Sequence, residues 1–255
     1  MRIEHFLTTS ADRIGSEPAV VAGGRSYSYN QLARGAGRIA VALGERGVLR
    51  GERVGVLMDT TPAAVAVIFG IMMAGAVVCV ADRTTDAEGL AAFLVEHRPA
   101  ALAVDAKFAP LAAEVLAGIA DVRLVLLNGP GAPAAGANCL SVGELIARLG
   151  PAHALPAAGT ADDTAMVLGK LGAREDVRRP VSLSHGELAA GAESTAPRQG
   201  VVLRSIFTFA GFCHLAQAIR TGVTVVLEAP FEPRRRSARM LLPDQDVFIP
   251  VLDSV

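Results

Sequence analysis

Residues 162–188 read DDTAMVLGKLGAREDVRRPVSLSHGEL and gather many of the side chains that could do chemistry. A phosphate-gripping loop needs glycines that let backbone N–H groups approach an anion, together with hydroxyls and a lysine for charge. The connection in this chain, GKLGAREDVRRP, offers Gly172 as a hinge, followed by Ala173, Arg174, Glu175 and Asp176. Two adjacent carboxylates repel a bound anion. Like charges about 4 Å apart cost about 1 kcal/mol in water and several in a partly dry site. The segment predicts a loop that does not hold ATP, so no cofactor is expected. Just beyond it, Ser184-His185 reads either as a nucleophile–base pair or as the start of a capped helix. Adjacent side chains seldom point at each other, which favours the cap.

Other reactive residue types are scattered. Cys213-His214 could form a thiol–imidazole pair, but a cysteine in an apolar run is usually inert packing. Asp162-Asp163 precede an apolar run and read as solvated loop residues, with no facing carboxylate to make an acid–base pair. Arg234, Arg235, Arg236 and Arg239 read as a solvated helix face, or as a receiver for an acidic partner such as a carrier protein or its phosphopantetheine. The three cysteines, Cys79, Cys139 and Cys213, have no metal-like spacing and are odd in number. Neither a metal site nor a disulfide framework is expected, and a reducing cytoplasm fits best.

These residues need a scaffold, and the pattern along the chain supplies one. Ala19–Ala22 and Arg25–Tyr27 read as a hairpin turning at Gly23-Gly24. Ser28 and Gln31 then make a capping box for an amphipathic helix. Apolar strands at ERVGVLM, AVVCV, Ala101–Asp105 and Val122–Leu127 alternate with helices from about Thr61, at Ala87–His97 and at about Ala109–Ala117. Strands written as continuous apolar runs between helices predict a parallel sheet covered on both faces. Residues 128–160, rich in Gly, Pro and Ala around a short helix at Ser141–Leu149, read as a surface excursion or linker. AMVL, Leu203–Phe207, TVVLEAP and Phe248–Leu252 read as later strands, with helices after Ser184 and through about Arg220. The expected organisation is a first α/β subdomain at 1–127, a connection at 128–160, and a second, incomplete α/β subdomain at 161–255.

Composition narrows the function classes. Half the residues are hydrophobic (51%), only 19% are charged, and the formal net charge is -1, which gives no general attraction for nucleic acid or anionic membrane. Pro62–Ala81 carries no charge over a length that could span a bilayer. Gly75 before the β-branched run Val77–Val80 reads instead as the end of a buried helix and the start of a buried strand. The N-terminus lacks the apolar core of a secretion signal.

Taken in order, these segments resemble the N-terminal half of the adenylate-forming superfamily of acyl-CoA synthetases, nonribosomal peptide adenylation domains and luciferases. RSYSYNQL resembles its early tyrosine motif, and GIMMAGAVVCVAD its helix–strand motif. SIFTFAGF resembles the aromatic motif bordering the acyl pocket, while GVTVVLEAPFEP and DVFIPVLDSV resemble the following strand and the segment beyond it. The resemblance covers essentially the whole chain and implies the α/β fold. Where it implies Y-T-S-G-T-T-G-x-P-K-G, Gly169, Lys170 and Leu171 stand at the first three positions and Pro180 near the last glycine. The adenine and magnesium motif, the ribose-binding aspartate, the hinge and the C-terminal catalytic domain with its lysine have no counterpart.

The resemblance implies a ligand site formed by Phe207, Thr208, Phe209, Gly211 and His214, meeting the helix that starts at Ser184-His185. Thr208 stands where many relatives have histidine. Catalytic residues stay unassigned, with His214, His185 and Ser184 as the candidates. The expectation is a non-adenylating homologue, an accessory protein of specialised, antibiotic-type metabolism. It would bind a small acyl or aryl ligand, a carrier-tethered intermediate or a partner enzyme, and a homo-oligomer is compatible. The alternative is a repurposed enzyme that cyclises, isomerises or hydrolyses an acyl or polyketide-like intermediate without ATP. No nucleic acid and no membrane are expected as partners.

Overall fold

The computed structural model describes residues 1–130, 138–147, 159–169, 180–196 and 200–228. The opening helix α1 (His5–Ile14) leads into a hairpin of β1 (Pro18–Ala22) and β2 (Arg25–Ser28), and Ser28 starts α2 (Tyr29–Glu45). Alternation then follows through β3 (Arg53–Leu57), α3 (Pro62–Met73), β4 (Val77–Val80), α4 (Ala87–His97), β5 (Ala101–Asp105), α5 (Ala109–Leu116) and β6 (Leu124–Asn128). Next come β7 (Asn138–Ser141), α6 (Val142–Ala147), β8 (Thr164–Leu168), β9 (Val181–Ser184), α7 (His185–Glu193), β10 (Val201–Leu203), α8 (Phe209–Thr221) and β11 (Val225–Leu227).

Two sheets result. The larger has the order β7-β6-β5-β3-β4-β8-β9 and the smaller β10-β11-β1-β2. Among the described residues all pairs are parallel except the two hairpins, β1–β2 and β8–β9. The fold is therefore α/β with mainly parallel sheets, as the apolar runs require. Both sheets draw strands from either side of residues 128–160, so that stretch does not divide one sheet from the other.

The core explains the pattern. One large cluster holds α3, whose residues Ala64–Met72 are all buried, with Tyr29, Ile39, Leu43, Val78, Met166 and Phe212. A second lies on the other face of the larger sheet, where Leu90 and Leu94 of α4 meet Leu57, Leu102 and Val104. Burying about 25 cal/mol for each Å² of apolar surface, these two layers supply the main drive to fold. The uncharged run at 62–81 is thus a helix capped by Thr61 with Pro62 in its first turn, a turn at Gly75, and a strand. Among the described residues no helix is long and apolar enough to cross a membrane.

The structure changes one expectation and adds an element the pattern did not offer. Residues 128–160 are more than an excursion: β7 adds an edge strand to the larger sheet, and Val142 and Leu145 of α6 are buried in the core. Glycine and proline masked a short strand whose pairing is supplied by its neighbour β6 rather than by its own pattern. The start of the chain also forms a helix, α1, with Phe6 and Leu7 buried. Phe248–Leu252 and the Arg234–Arg239 group lie outside the described residues.

Candidate functional site

Because β3, β4, β5, β6 and β8 run parallel, their carboxyl ends share one edge of the larger sheet, the edge where α/β proteins usually bind ligands. Gly169 follows β8 at this edge, and residues 170–179, which hold the loop expected from the sequence, lie outside the described residues. The buried Thr60, just past the end of β3, accepts a hydrogen bond from the Ile206 N–H at 3.3 Å. That bond brings the aromatic segment 205–209, which belongs to the smaller sheet's connections, to the carboxyl edge of the larger one.

The start of α8 is tightly built. The Thr208 hydroxyl accepts from the Gly211 N–H at 3.1 Å and caps the helix. A Cβ on Gly211 would lie 1.9 Å from the Ser205 carbonyl oxygen, so no larger residue fits there without moving the backbone. Thr208 and Gly211 therefore have local structural tasks whatever else they do. Phe212 turns inward, its ring 6.1 Å from that of Phe69, and Phe207 is half-buried against the same core. Phe209 is the exception, with 37% of its surface exposed. It lies against α7, where a Cβ on Gly191 would come within 2.8 Å of its ring and of Cys213 Sγ.

His214 lies five residues along the helix from Phe209, about 140° around the axis. It lines a void of about 10 Å³ with Thr195, Gln217 and Thr221. That is room for a single water, not for an acyl or aryl group. Cys213 is buried, and burial pushes its thiol up to about 11. A thiol held protonated in this way is a poor nucleophile.

Ser184 and His185 do different things. Ser184 Oγ accepts from the Glu187 N–H at 3.1 Å, and the Glu187 carboxylate accepts from the Ser184 N–H at 2.7 Å, completing a capping box. His185 is 1% exposed, and its Nδ1 lies 3.1 Å from Glu4 Oε2. The two atoms are close but out of line, so neither gains a well-aligned hydrogen bond. Burial pushes the Glu4 carboxyl upward. Contacts from His185 and Arg2 outweigh it and hold Glu4 below the usual range. The hydrogen-bond partner of Ser184 is Glu187, and the polar neighbour of His185 is Glu4. Asp163, read from sequence as solvated, instead ties the chain together by pairing with Arg50 and Arg2 and accepting from Thr160.

Sequence reading missed a polar cluster at the carboxyl edge. Asp105 Oδ2 accepts from the Asp59 N–H at 2.6 Å and Oδ1 from the Asn128 side chain at 2.7 Å. Asp59 in turn pairs with Arg83 at 3.1 Å and with Lys107. Burial, with the nearby Asp59 carboxylate, holds Asp105 above the usual carboxylate range. The available signal was the polar residue closing an apolar strand in VLMD, AVD and LLN. Among the described residues no group of His, Cys, Asp and Glu has the makings of a metal site.

Comparison with known proteins agrees with this architecture. Residues 7–168 match the family model described as AMP-binding enzyme. The plant protein named "Probable acyl-activating enzyme 21" of Arabidopsis thaliana is 35% identical over 118 residues, which are 46% of this chain and 22% of that protein. The 3-hydroxybenzoate–CoA ligase of Aromatoleum sp. (strain CIB) is 34% identical over 119 residues, 47% of this chain and 23% of the ligase. The matched segments thus span less than a quarter of these relatives. Among solved structures, an anthranilate CoA ligase in complex with anthranoyl-AMP superposes with TM-score 0.79 at 20% identity, over 89% of this chain and 45% of that one. The benzoate CoA ligase of Burkholderia xenovorans LB400 gives TM-score 0.74 at 22% identity, over 89% and 45%. Both fits describe the same two-sheet fold.

Proposed function

Since the chain belongs to the AMP-binding enzyme family, we propose that it is a carboxylate-binding homologue that does not form acyl-adenylates. It serves as an accessory protein for a small aryl or acyl acid, free or tethered to a carrier. The observation that carries this reading is the chemistry of residues 169–180. GKLGAREDVRRP contains no serine or threonine to meet a phosphate or a magnesium ion, and sets Glu175 and Asp176 in its middle. Its four basic residues give it net positive charge, but charge alone does not shape a cradle of backbone N–H groups around a triphosphate. Stabilising the transferring phosphoryl group needs fixed donors or metal at the developing charge.

The ligand class follows from Phe209, the exposed aromatic of the segment at the carboxyl edge, and from relatives named for 3-hydroxybenzoate and anthranilate. The test is calorimetry and pyrophosphate exchange with the full chain. 3-Hydroxybenzoate or butyrate should bind without ATP, and Phe209→Ala should weaken that binding while leaving the fold intact. ATP with magnesium should give no heat and no exchange. Micromolar ATP binding, or exchange with either acid, would sink the reading.

A further inference from the structure

A second opening lies at the other end of the larger sheet. β3 is five residues long, so its amino end is roughly 16 Å from the carboxyl edge. There a crevice of about 400 Å³ is lined by Arg50, Arg53, Asp163, Thr164 and Ser182, with Val167 among its apolar walls. This is the volume of a small-ligand pocket. Val167 belongs to a small cluster with Val77 and Cys79, against which Phe93 of α4 is packed among the described residues. Apolar packing thus backs the crevice, and Arg50, Thr164 and Ser182 in its lining are exposed among the described residues.

The two arginines differ in a telling way. Arg50 is oriented by Asp163, which also accepts from the Thr160 N–H at 3.0 Å and from Arg2. The Thr160 backbone bond first, and Arg50 next, hold the Asp163 carboxyl below its usual range. Arg53 donates to the neutral His97 carbonyl at 3.2 Å and has no carboxylate partner among the described residues. The crevice lining thus carries two guanidinium groups and one carboxylate, the latter already paired with Arg50, which leaves a positive charge on a lining that also includes Thr164 and Ser182. A planar guanidinium with spare N–H groups matches the oxygens of phosphate or carboxylate, and hydroxyls complete such a site.

We propose that this crevice binds the oxyanion group of a small molecule, a phosphate or a carboxylate, between Arg50 and Arg53 with Ser182 and Thr164 as further donors. The site is separate from the carboxyl edge and does not depend on the function proposed for it. Arginine side-chain and backbone NMR of the full chain tests it, with inorganic phosphate and propionate as probes at constant ionic strength. Saturable shifts at Arg53, Gly51 and Ser182 are expected, with Kd of order 1 mM for an isolated anion. Arg53→Gln should weaken binding about tenfold or more, and Ser182→Ala by less, both with unchanged circular dichroism. Preference for phosphate identifies a phosphorylated ligand, and preference for propionate a carboxylate one. The proposal fails if neither probe saturates, if sodium chloride reproduces the shifts, or if the folded Arg53→Gln protein binds as tightly as the original. Arg50→Gln, which keeps Arg53, provides the same readout should the first variant not fold.

Discussion

Two parts of the molecule are built on one plan. β1–β2–α2 and β8–β9–α7 are each an antiparallel hairpin running directly into a capped helix, on edges of different sheets. In both, the first strand residue pairs with the capping serine, Pro18 with Ser28 and Thr164 with Ser184, and the register shifts immediately afterwards. The cap backbones are nearly superimposable, with φ/ψ of -76/163 at Ser28 and -77/163 at Ser184. Each box is closed by the residue three positions on, Gln31 or Glu187. What differs is the hairpin connection, Gly23-Gly24 in one and residues 169–180 in the other, and the first helical residue, Tyr29 against His185. The first unit shows that the plan needs only a tight turn. The long connection in the second is therefore not required to fold the unit, which is where one expects function to reside.

The first helical residue offers the largest test of this parallel. Tyr29 is fully buried, and its hydroxyl donates to the Val223 carbonyl at 3.3 Å. Tyr29→Ala should lose about 3–5 kcal/mol in denaturant unfolding, as expected for emptying a buried aromatic site. His185→Ala should cost less, about 2 kcal/mol, because the smaller ring leaves a smaller cavity and Arg2 still faces Glu4. Equal losses would mean that the second unit leans on its Glu4 contact as heavily as the first leans on its aromatic.

Tyr29 in the first unit and Glu4, the neighbour of His185 in the second, lose their contributions at opposite ends of the pH scale. Burial pushes the Tyr29 hydroxyl up to about 12. The unfolded chain releases that proton near pH 10 and the folded one only near 12, so stability should fall as pH rises between them. The slope is about 1.4 kcal/mol for each pH unit. Glu4 is held below its ordinary value of 4.5, so its contribution is present above that pH and is lost as pH falls through the folded value. Tyr29→Phe should reduce the alkaline slope, leaving the part that the buried thiols of Cys79 and Cys213 contribute, and Glu4→Gln should reduce the acid one, to which Asp163 and Glu187 also contribute, each leaving the other limb alone. Chemical denaturation across pH separates them. An alkaline slope unchanged in Tyr29→Phe would assign it to other groups.

Shortening the second connection makes the two units alike. Replacing residues 169–180 with Gly-Gly should stabilise the fold by about 1.5 kcal/mol, the difference in closure entropy between a long and a short loop. Net destabilisation would show that the connection packs against the fold and is not simply carried by it. Carboxylate affinity, measured on the same variant, tells whether the loop takes part in the site at the carboxyl edge.

The parallel also explains what sequence could and could not reveal. Both serine caps were legible because a capping box is a local code, read four residues at a time. α4 and β5 were legible to the residue because apolar periodicity sets them. β7 was not, since an edge strand in a Gly- and Pro-rich stretch takes its pairing from β6. At the candidate site, the placement of Phe207–Phe209 depends on Thr60, a contact 146 positions away that no local pattern encodes. His214 has a residue type suited to a pocket, but helical phase turns it toward a water-sized void. The role of Asp163 was hidden for the same reason, its partners Arg2 and Arg50 being distant in sequence.

The smallest effect is the sharpest on chemistry. A serine that only caps a helix is worth about 1 kcal/mol, and replacing it by alanine loses one bond to an orphan N–H. Ser28→Ala and Ser184→Ala should therefore cost nearly the same, since their cap geometries match. Thermal or denaturant unfolding measures both, and aspartate, which also caps well, should restore each of them. A nucleophilic Ser184 behaves differently. Its alanine and aspartate variants would be equally inactive in any hydrolysis the chain performs, and rescue of stability by aspartate would not bring activity back. The geometry predicts no such split, because Ser184 Oγ also donates to the Glu187 carboxylate at 2.9 Å. The base nearest that hydroxyl is therefore Glu187, whose carboxylate the Ser184 backbone N–H and side chain hold below its usual range, which makes it a poor acceptor for the proton a nucleophile must lose.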